Sequence, residues 1–545
     1  MWGIYTIALV MFQILMVSAW DQPSENAFFA ASILSGMVVP NLLYAGVCAM
    51  VLFSDLYVPR MCNALHAMPM RREGWFLTHT AAGLLFGLIP NAAAALVLLP
   101  GLREYGYMAG IWLGVMLLEF LCFFGIGALS AVCAGSRLGM AAIYAILNGF
   151  SLLGYAVAEI LCKPLLYGVV IPTGLAKFLC PVAQIASVPL LSTSYDHPMG
   201  AFVIDRFDPF GWRYLLGMAV LGVVLTALAV IIYRRRQLER AGDFLAVQPL
   251  VPVFLVIATV SAGLIFYLFS ELTMEKGSYP VLFVGMAVGW FVGKMLLERR
   301  IQVFGLRNLA GFLLAALVMA GGLTLTWLDV LGLTEKIPEE DRIEFCSMDV
   351  YPRVYPKRVT DPEQIHQIRK IHEALIQAEP MNAGGPLERN ERKVFVRYHL
   401  TDGTDLEREY WIDSHDPLGR SIARYLSRWE NLLEAESQSE FENRVIYASA
   451  DLYEDGWDTM QNVVLNREQV HRVVTEVIRA CDAGILMNDI FQEDSVAAVQ
   501  FHVLLPQIDD GYDYSPEIYL PIPEECEALL QVLREIRQEN SGSVR

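Results

Sequence analysis

The chain changes character near residue 330. Before this point it contains nine strongly apolar segments, and after it the sequence is polar and acidic with no further run of membrane length. The apolar segments are residues 4–20, 28–53, 78–100, 107–133, 138–161, 213–233, 249–270, 279–297 and 309–328. Each has about the 20 residues needed to cross a hydrocarbon core about 30 Å thick. We therefore predict a polytopic α-helical membrane protein of nine spans followed by a water-soluble domain.

Charge is divided unevenly between these two parts. Residues 1–335 carry 18 Lys and Arg against 17 Asp and Glu, whereas residues 336–545 carry 22 against 41. A domain this acidic repels nucleic acid and anionic lipid surfaces. We therefore exclude nucleic-acid binding as a function.

The loops predict an orientation, because Lys and Arg accumulate in loops on the cytoplasmic side. Arginines gather on every second loop, and the loops between them are acidic or mixed. These arginines are Arg60, Arg71, Arg72, Arg137, Arg234, Arg235, Arg236, Arg240, Arg299, Arg300 and Arg307. With nine spans, the N-terminus is expected inside and the C-terminal domain outside. The first span begins at Met1 with no basic residue ahead of it, so we expect a span rather than a signal peptide, and suspect a missing cytoplasmic stub.

Residues 163–191 are apolar enough for a tenth span, but a tenth span would place the arginines after residue 233 outside. Pro164, Pro172, Pro181 and Pro189 divide this segment into short pieces. We predict a re-entrant pair of short helices in the outer leaflet. Cys162 and Cys180 would both lie on the outer side, which leaves a disulfide between them open. The nine cysteines show no CxxC spacing, so no metal site is expected.

The loop between the second and third spans contains a short amphipathic pattern over residues 57–73. Met61, Leu65 and Met68 recur at helical spacing, and Pro69 is expected to stop the helix. Arg71 and Arg72 follow before the chain re-enters the membrane. The pattern alone predicts a helix at the membrane surface, which could serve only to anchor the loop.

The sequence Leu65-His66-Ala67-Met68-Pro69-Met70-Arg71-Arg72-Glu73 resembles the L-H-x-L-P-x-[KR]-R stretch of permease subunits of type-2 ABC transporters. In that family an arginine-bearing helix at this place docks on the ATPase. The resemblance therefore implies an ATPase-coupling role for Leu65, His66, Met68, Pro69, Arg71, Arg72 and Glu73. It also implies a second permease chain, as a homodimer or heterodimer, and a bacterial cytoplasmic membrane.

The resemblance extends to the order of elements. Permeases of this class have six spans, a coupling element between spans two and three, and an outer re-entrant pair between spans five and six. Residues 233–243, Tyr-Arg-Arg-Arg-Gln-Leu-Glu-Arg-Ala-Gly-Asp, resemble the Y-R-x-R-x-[LS]-E-x-A-G-[DE] exit of a bacterial subgroup with extra spans and an outer C-terminal domain. We thus expect a six-span core in residues 1–245 and three additional spans in residues 246–330.

The sequence contains no GxxxxGK[ST] phosphate loop, so any ATP would be bound by a partner subunit and no cofactor is expected here. No HExxH or GxSxG motif occurs either, so we do not expect an enzyme. Two ionisable residues within spans, Glu119 and Glu159, are candidates for the substrate path. For Glu159 the alternative is a helical ion pair with Lys163, and for Glu119 a buried hydrogen bond between helices. Asn91 and Asn148 are expected to donate hydrogen bonds between helices.

The acidic domain reads as two copies of strand, helix, strand, strand, helix, over residues 336–436 and 437–545. The first copy has strands at 343–350, 393–400 and 407–412, with helices from Thr360 to Ala378 and from Pro417 to Leu433. The second has strands at 444–452, 497–505 and 517–521, with helices from Asn466 to Ala483 and from Pro523 to Glu539. Thr360 and Asn466 are the predicted helix caps. His399 and His502 occupy corresponding strand positions, which favours a structural role.

The function expected from these features is that of an ABC permease subunit, an exporter, driven by a separate ATPase. The alternative from another class is a membrane receptor or sensor whose outer domain binds a ligand. A membrane-embedded transferase would need an acidic cluster at the membrane surface, and we find none with persuasive spacing. The transported substrate does not follow from the sequence.

Overall fold

A computed structural model describes residues 2–19, 37–69, 71–101, 106–187, 189–196, 201–274, 276–350, 358–378, 391–413, 416–433, 435, 437–453, 460–485, 496–503 and 517–542. Contacts divide the chain into two compact units. The N-terminal unit contains residues 1–160 and 172–323, and the C-terminal unit contains residues 161–171 and 324–545. The chain therefore passes between the units three times, and residues 246–323 share a unit with the predicted six-span core.

The N-terminal unit is built from helices. In chain order they are α1 (Trp2–Ala19), α2 (Val38–Leu52), α3 (Pro59–His66), α4 (Arg72–Gly101), α5 (Tyr107–Cys133), α6 (Arg137–Ala156), α7 (Gly174–Phe178), α8 (Pro181–Ser187), α9 (Pro209–Arg235), α10 (Leu250–Met274), α11 (Tyr279–Glu298) and α12 (Leu306–Trp327). Helix α5 is the most buried of the long helices and packs against α2, α4 and α9. Helices α10 and α11 form a second tightly packed pair.

Seven helices among the described residues are long and apolar enough to cross a membrane, and they match the third to ninth predicted spans. The protein is thus a polytopic helical protein. The first two predicted spans coincide with the shorter apolar helices α1 and α2, and residues 28–36 lie outside the described part of the chain. The count of nine spans therefore remains a prediction.

Residues 163–191 hold the predicted pair of short helices, α7 and α8. Before them the chain forms a π-helical turn, Val157–Cys162, and a 3-10 turn, Lys163–Leu165. After them comes a β-hairpin that we did not predict, formed by antiparallel strands β1 (Leu191–Asp196) and β2 (Ala201–Phe207). Cys162 and Cys180 are free thiols.

The C-terminal unit contains two α+β halves. The first contains β3 (Ile343–Val350), α13 (Pro362–Gln377), β4 (Glu391–Leu400), β5 (Asp405–Asp413), α14 (Pro417–Leu426) and α15 (Trp429–Leu432). The second contains α16 (Gln438–Arg444), β6 (Val445–Tyr453), β7 (Met460–Val464), α17 (Arg467–Asp482), β8 (Ala497–Val503), β9 (Glu517–Ile522) and α18 (Glu527–Gly542). The antiparallel sheets have the orders β3-β4-β5 and β7-β6-β8-β9, and each half has its own apolar core.

The register of the strands supports the predicted duplication. Both first strands carry a bulge, between Ile343 and Phe345 in β3 and between Val445 and Tyr447 in β6. Immediately after the bulge, Phe345 is paired with His399 and Tyr447 with His502. Each histidine ring contacts the aromatic ring opposite, at centroid distances of 4.6 and 5.3 Å. The two halves therefore share pairing as well as element order.

Several details differ from expectation. The first capping residue is Asp361 rather than Thr360, and its side chain accepts from the Gln364 amide at 3.1 Å. The capping box at Asn466 is confirmed. Strand β7 was not predicted, the helix predicted over 417–433 is divided into α14 and α15, and the last helix begins at Glu527 instead of Pro523.

Candidate functional site

The chain between α2 and the first turn of α4 contains the short helix α3, and we call residues 54–73 the loop element. A 3-10 turn, Ser54–Tyr57, leads into α3, which starts at Pro59. Proline suits the first turn of a helix because its fixed φ is helical and its missing N–H would be unpaired there. The helix ends at His66, and Pro69 lies in the bend that follows, as predicted.

Helix α3 turns Cys62 inward and leaves apolar and basic side chains exposed. Met61 and Met68 are each 50% exposed, and Arg60 is also exposed. The side chains of Leu65 and His66, and the residue Met70, lie outside the described part of the structure. The loop element thus presents methionine and arginine side chains at its surface.

The two arginines of the predicted coupling motif differ in environment. Arg71 is exposed, whereas Arg72 is half-buried at the start of α4. The Arg72 Nη1 donates to the backbone oxygens of Arg234 and Arg236, at 3.3 and 3.4 Å. A cation is favourable there because the last carbonyls of α9 carry partial negative charge. Glu73 adds an ion pair to the Arg234 guanidinium, with 2.8 Å between Oε1 and Nε.

Arg236 fixes the loop element from inside the protein. Its side chain is buried, and its Nη1 donates to the backbone oxygens of Ala131 and Val132 at 3.2 and 3.0 Å. Its Nη2 donates to the Leu56 oxygen at 2.9 Å. One guanidinium therefore caps the end of α5 and holds the 3-10 turn. In the sequence, Arg234, Arg235 and Arg236 appear equivalent, so no local signal identifies Arg236.

An aromatic cluster lies beneath the loop element. Phe53 at the end of α2 contacts Trp75 of α4 at a centroid distance of 5.9 Å, and Trp75 contacts Tyr233 of α9 at 5.4 Å. His79 stacks near Trp75 at 4.1 Å, and its Nε2 lies 3.7 Å from the Asp55 Oδ2. Displacement of the loop element would thus reach α2, α4 and α9 through close-packed rings.

The two sequence motifs, about 160 residues apart in the chain, meet at this place. Arg234 and Arg236 of the second motif contact Arg72 of the first, and Arg234 also pairs with Glu73. Gly242, at φ +97°, lies beside Pro59, and its amide donates to the Gly135 oxygen at 2.7 Å. A left-handed φ favours glycine, which explains this residue within the second motif.

Glu119 and Glu159 occupy different surroundings. Glu119 is fully buried in α5, and its Oε2 accepts from the Asn41 Nδ2 of α2 at 3.0 Å. Its Oε1 has no hydrogen-bond partner among the described residues. Glu159 is half-buried on the π-helical turn after α6. The structure therefore contains a hydrogen bond between helices at Glu119, and its place in a substrate path stays a prediction.

The partners of Asn91 and Asn148 differ from expectation. Asn91 and Asn148 donate to carbonyls of their own helices, to Gly87 and Tyr144, each at 2.8 Å. Asn41, which the sequence did not single out, makes the bond between helices instead. Lys163 forms an ion pair with Glu409, with 3.6 Å between Nζ and Oε2, and its predicted pair with Glu159 stays a prediction.

No protein-family model, curated protein or solved structure matches this chain.

Proposed function

We propose that this chain is the permease subunit of an ATP-driven transporter of the type-2 ABC class, an exporter in the cell membrane of a bacterium. ATP is bound by a separate ATPase subunit, and a second permease chain completes the path. The observation that carries the proposal is the meeting of both motifs at the loop element, where buried Arg236 and half-buried Arg72 hold an exposed surface of Met61, Arg60 and Arg71.

That surface suits a protein partner. Methionine and arginine are enriched at protein interfaces, and methionine adapts to a moving partner surface. In the proposed mechanism the ATPase binds the loop element and pushes it when ATP closes the ATPase pair. The aromatic cluster under the element passes the push to α2, α4 and α9, and the spans switch between their two arrangements.

The different environments of the twin arginines support different roles for them. Arg71 is free to meet an acidic side chain of the ATPase, whereas Arg72 is committed to the end of α9. Charge reversal at Arg71 should therefore weaken docking without disturbing the fold, while reversal at Arg72 should damage the fold as well.

The test is co-purification of the tagged full chain in detergent. We expect a stoichiometric ATPase subunit with the wild type and at least a tenfold loss of it with Arg71→Glu, because a repelled charge pair in an interface costs more than about 1.4 kcal/mol. Arg300→Glu is the matched control, since Arg300 is 69% exposed at its side chain and lies outside the loop element. Undiminished ATPase binding by Arg71→Glu would reject the docking role.

The receptor hypothesis makes the opposite prediction for the wild type. If no ATPase co-purifies under conditions that keep the chain folded, the proposed function is wrong and a receptor or sensor is favoured.

A further inference from the structure

Residues Leu161–Ile171, which follow α6, belong by their contacts to the C-terminal unit. Val169 forms an antiparallel bridge with Arg408 of β5, and the Glu409 amide donates to the Gly168 oxygen at 3.0 Å. Lys163 forms its ion pair with the Glu409 carboxylate. We call this segment the strap. It pairs with the edge strand of the sheet β3-β4-β5 through this isolated bridge.

The contact between the strap and β5 requires a glycine. Gly168 has φ +74°, and a Cβ at this position would collide with the ring of Tyr410. The Tyr167 ring packs edge-on against the same tyrosine at a centroid distance of 5.3 Å. The Tyr410 ring is thus the surface that Tyr167 and Gly168 of the strap contact.

Tyr410 is held in place from the core. Its hydroxyl hydrogen-bonds to the His372 Nε2 at 2.9 Å, and the His372 Nδ1 hydrogen-bonds to the Tyr398 hydroxyl at 3.0 Å. All three side chains are fully buried. A satisfied polar network of this kind fixes orientation, because leaving any member unpaired in the core would be costly.

The second half of the unit provides an internal comparison. Tyr410 faces Val394 across β4 and β5, and Ile522 faces Ala497 across β8 and β9. By the same register Glu409 corresponds to Pro521. Proline has no amide hydrogen, so the bond that Glu409 donates to the strap has no equivalent there.

The substitution of polar by apolar residues continues into the core. Tyr398 corresponds to Phe501 by strand register, and His372 corresponds to Val477 by the distance from the helix caps Asp361 and Asn466. The second half therefore lacks the tyrosine that contacts the strap, the two residues that hydrogen-bond in its support, and the amide that donates to the strap. An edge strand bearing proline is protected against strand addition.

We propose that the edge strand β5 is the binding site of the chain's own strap, and that the strap can detach from it. In the second half, Pro521 prevents the corresponding edge strand from binding a segment in this way. The pairing of Val169 with Arg408 is an isolated bridge at the edge of the sheet, so its loss leaves the ladders between β3, β4 and β5 intact. Residues on both sides of the strap belong to the N-terminal unit. Binding of the strap to β5 therefore holds the first residues of the proline-rich segment 163–191 in the C-terminal unit. The claim that the strap is released during transport rests on the proposed function.

The docking test is hydrogen–deuterium exchange of the full chain in detergent, read on the peptide covering β5. We expect Gly168→Ala to accelerate exchange of the Glu409 amide at least about tenfold, because an alanine resists the left-handed conformation and collides with Tyr410. Tyr410→Ile, which introduces the residue of the second half, should have the same effect.

Gly174→Ala is the matched control, since a Cβ at Gly174 meets no atom within 4 Å. It should leave exchange of β5 unchanged, and all three variants should leave β8 unchanged. Wild-type exchange rates at Glu409 in both Gly168→Ala and Tyr410→Ile would overturn the docking.

Release is tested with the co-purified ATPase complex trapped by ATP and vanadate. We expect trapping to change exchange of the Glu409 amide at least about threefold, because an amide freed from its acceptor exchanges by local opening. An unchanged rate would make the strap a fixed tie and overturn its release. Absence of an ATPase would instead reject the proposed function, while the docking result would stand.

Discussion

Single buried polar residues distinguish the two halves of the C-terminal unit. His372 sits between two tyrosine hydroxyls, where the corresponding residue of the second half is Val477. Burial, and then the nearby Arg408 and Arg369 guanidinium groups, lower the pKa of His372 to about 3. A neutral imidazole can bond both hydroxyls, one as donor and one as acceptor. Protonation would add a buried charge and break this arrangement.

The first prediction concerns the pH dependence of this half. The folded pKa of about 3 lies below the ordinary value of 6.5, so the unfolded chain takes up a proton that the folded chain refuses as pH falls below 6.5. The resulting stability is complete above that pH and is lost on acidification. Between pH 7.5 and 5.5 we expect a loss of about 1.4 kcal/mol from this group.

His372→Gln should remove this contribution while retaining a hydrogen-bonding side chain. The measurement is the unfolding free energy from exchange of β4 amides at the two pH values, corrected for intrinsic rates. His471→Gln is the matched control, since His471 lies on α17 of the second half, and exchange of the β4 amides should respond to pH in this variant as in the wild type. Equal pH dependence in His372→Gln and wild type would contradict the assignment.

At the scale of elements, the loop element depends on a helix of only eight residues. A helix this short is marginal alone and is stabilised by its packing, here through Cys62 and the turn held by Arg236. Its exposed face is therefore available for binding. A break in the backbone of this helix should reduce binding of a partner to that face.

The second prediction places proline in this helix. Ala64→Pro removes an amide donor and costs about 3 kcal/mol in a helix interior, so we expect loss of ATPase co-purification with normal membrane insertion. The measurement is pull-down together with the amount of protein in the membrane fraction. Ala64→Ser keeps the helix and should bind as the wild type. Full ATPase binding by the proline variant would show that α3 is not the docking helix.

The third prediction concerns the packing of α5 on α9. A Cβ on Gly222 of α9 would lie 2.7 Å from the Cys122 Cα of α5, so the two backbones leave no room for one. Small residues allow such close approach of helices. Gly222→Ala should destabilise the protein by about 1–3 kcal/mol, as overpacking does.

Gly217 on the same helix is the matched control, since its Cβ would meet no atom within 4 Å. Gly217→Ala should be neutral or stabilising by up to about 1 kcal/mol, through helix propensity. Thermal unfolding in detergent compares the two. A lower melting temperature for Gly217→Ala than for Gly222→Ala would refute this packing argument.

At the scale of the whole molecule, the apolar and acidic parts of the sequence correspond closely to two compact units. The exception is the strap, which lies between two helical parts of the N-terminal unit in the sequence but packs with the C-terminal unit. The chain is therefore joined between the units at three places rather than at one.

The fourth prediction is the orientation in the membrane. Because basic loops stay inside, a cysteine at Arg71 should react with an impermeant maleimide only in opened cells. A cysteine at Glu363, an exposed residue of the C-terminal unit, should react in intact cells. Both are placed in a chain without its native cysteines. Labelling of the Arg71 position from outside would contradict the orientation and the docking role with it.

The sequence predicted the features that depend on local pattern. The third to ninth apolar runs became long helices, because an uninterrupted apolar stretch has few ways to satisfy its backbone other than a helix. The order of strands and helices in the acidic domain could be predicted for a similar reason, since alternation and capping residues act within a few residues. Between β4 and β5, Gly403 has φ +78°, a conformation that favours glycine.

Only the tertiary structure decided which chemically similar residues have different roles. Arg236 is buried while Arg235 is exposed, Arg72 is committed while Arg71 is not, and Asn41 rather than Asn91 bonds between helices. The contact of the strap with β5, and the position of Pro521 at the corresponding edge, also depend on the tertiary structure. Each depends on which distant carbonyl, ring or amide arrives beside the residue, and the sequence around the residue does not contain that information.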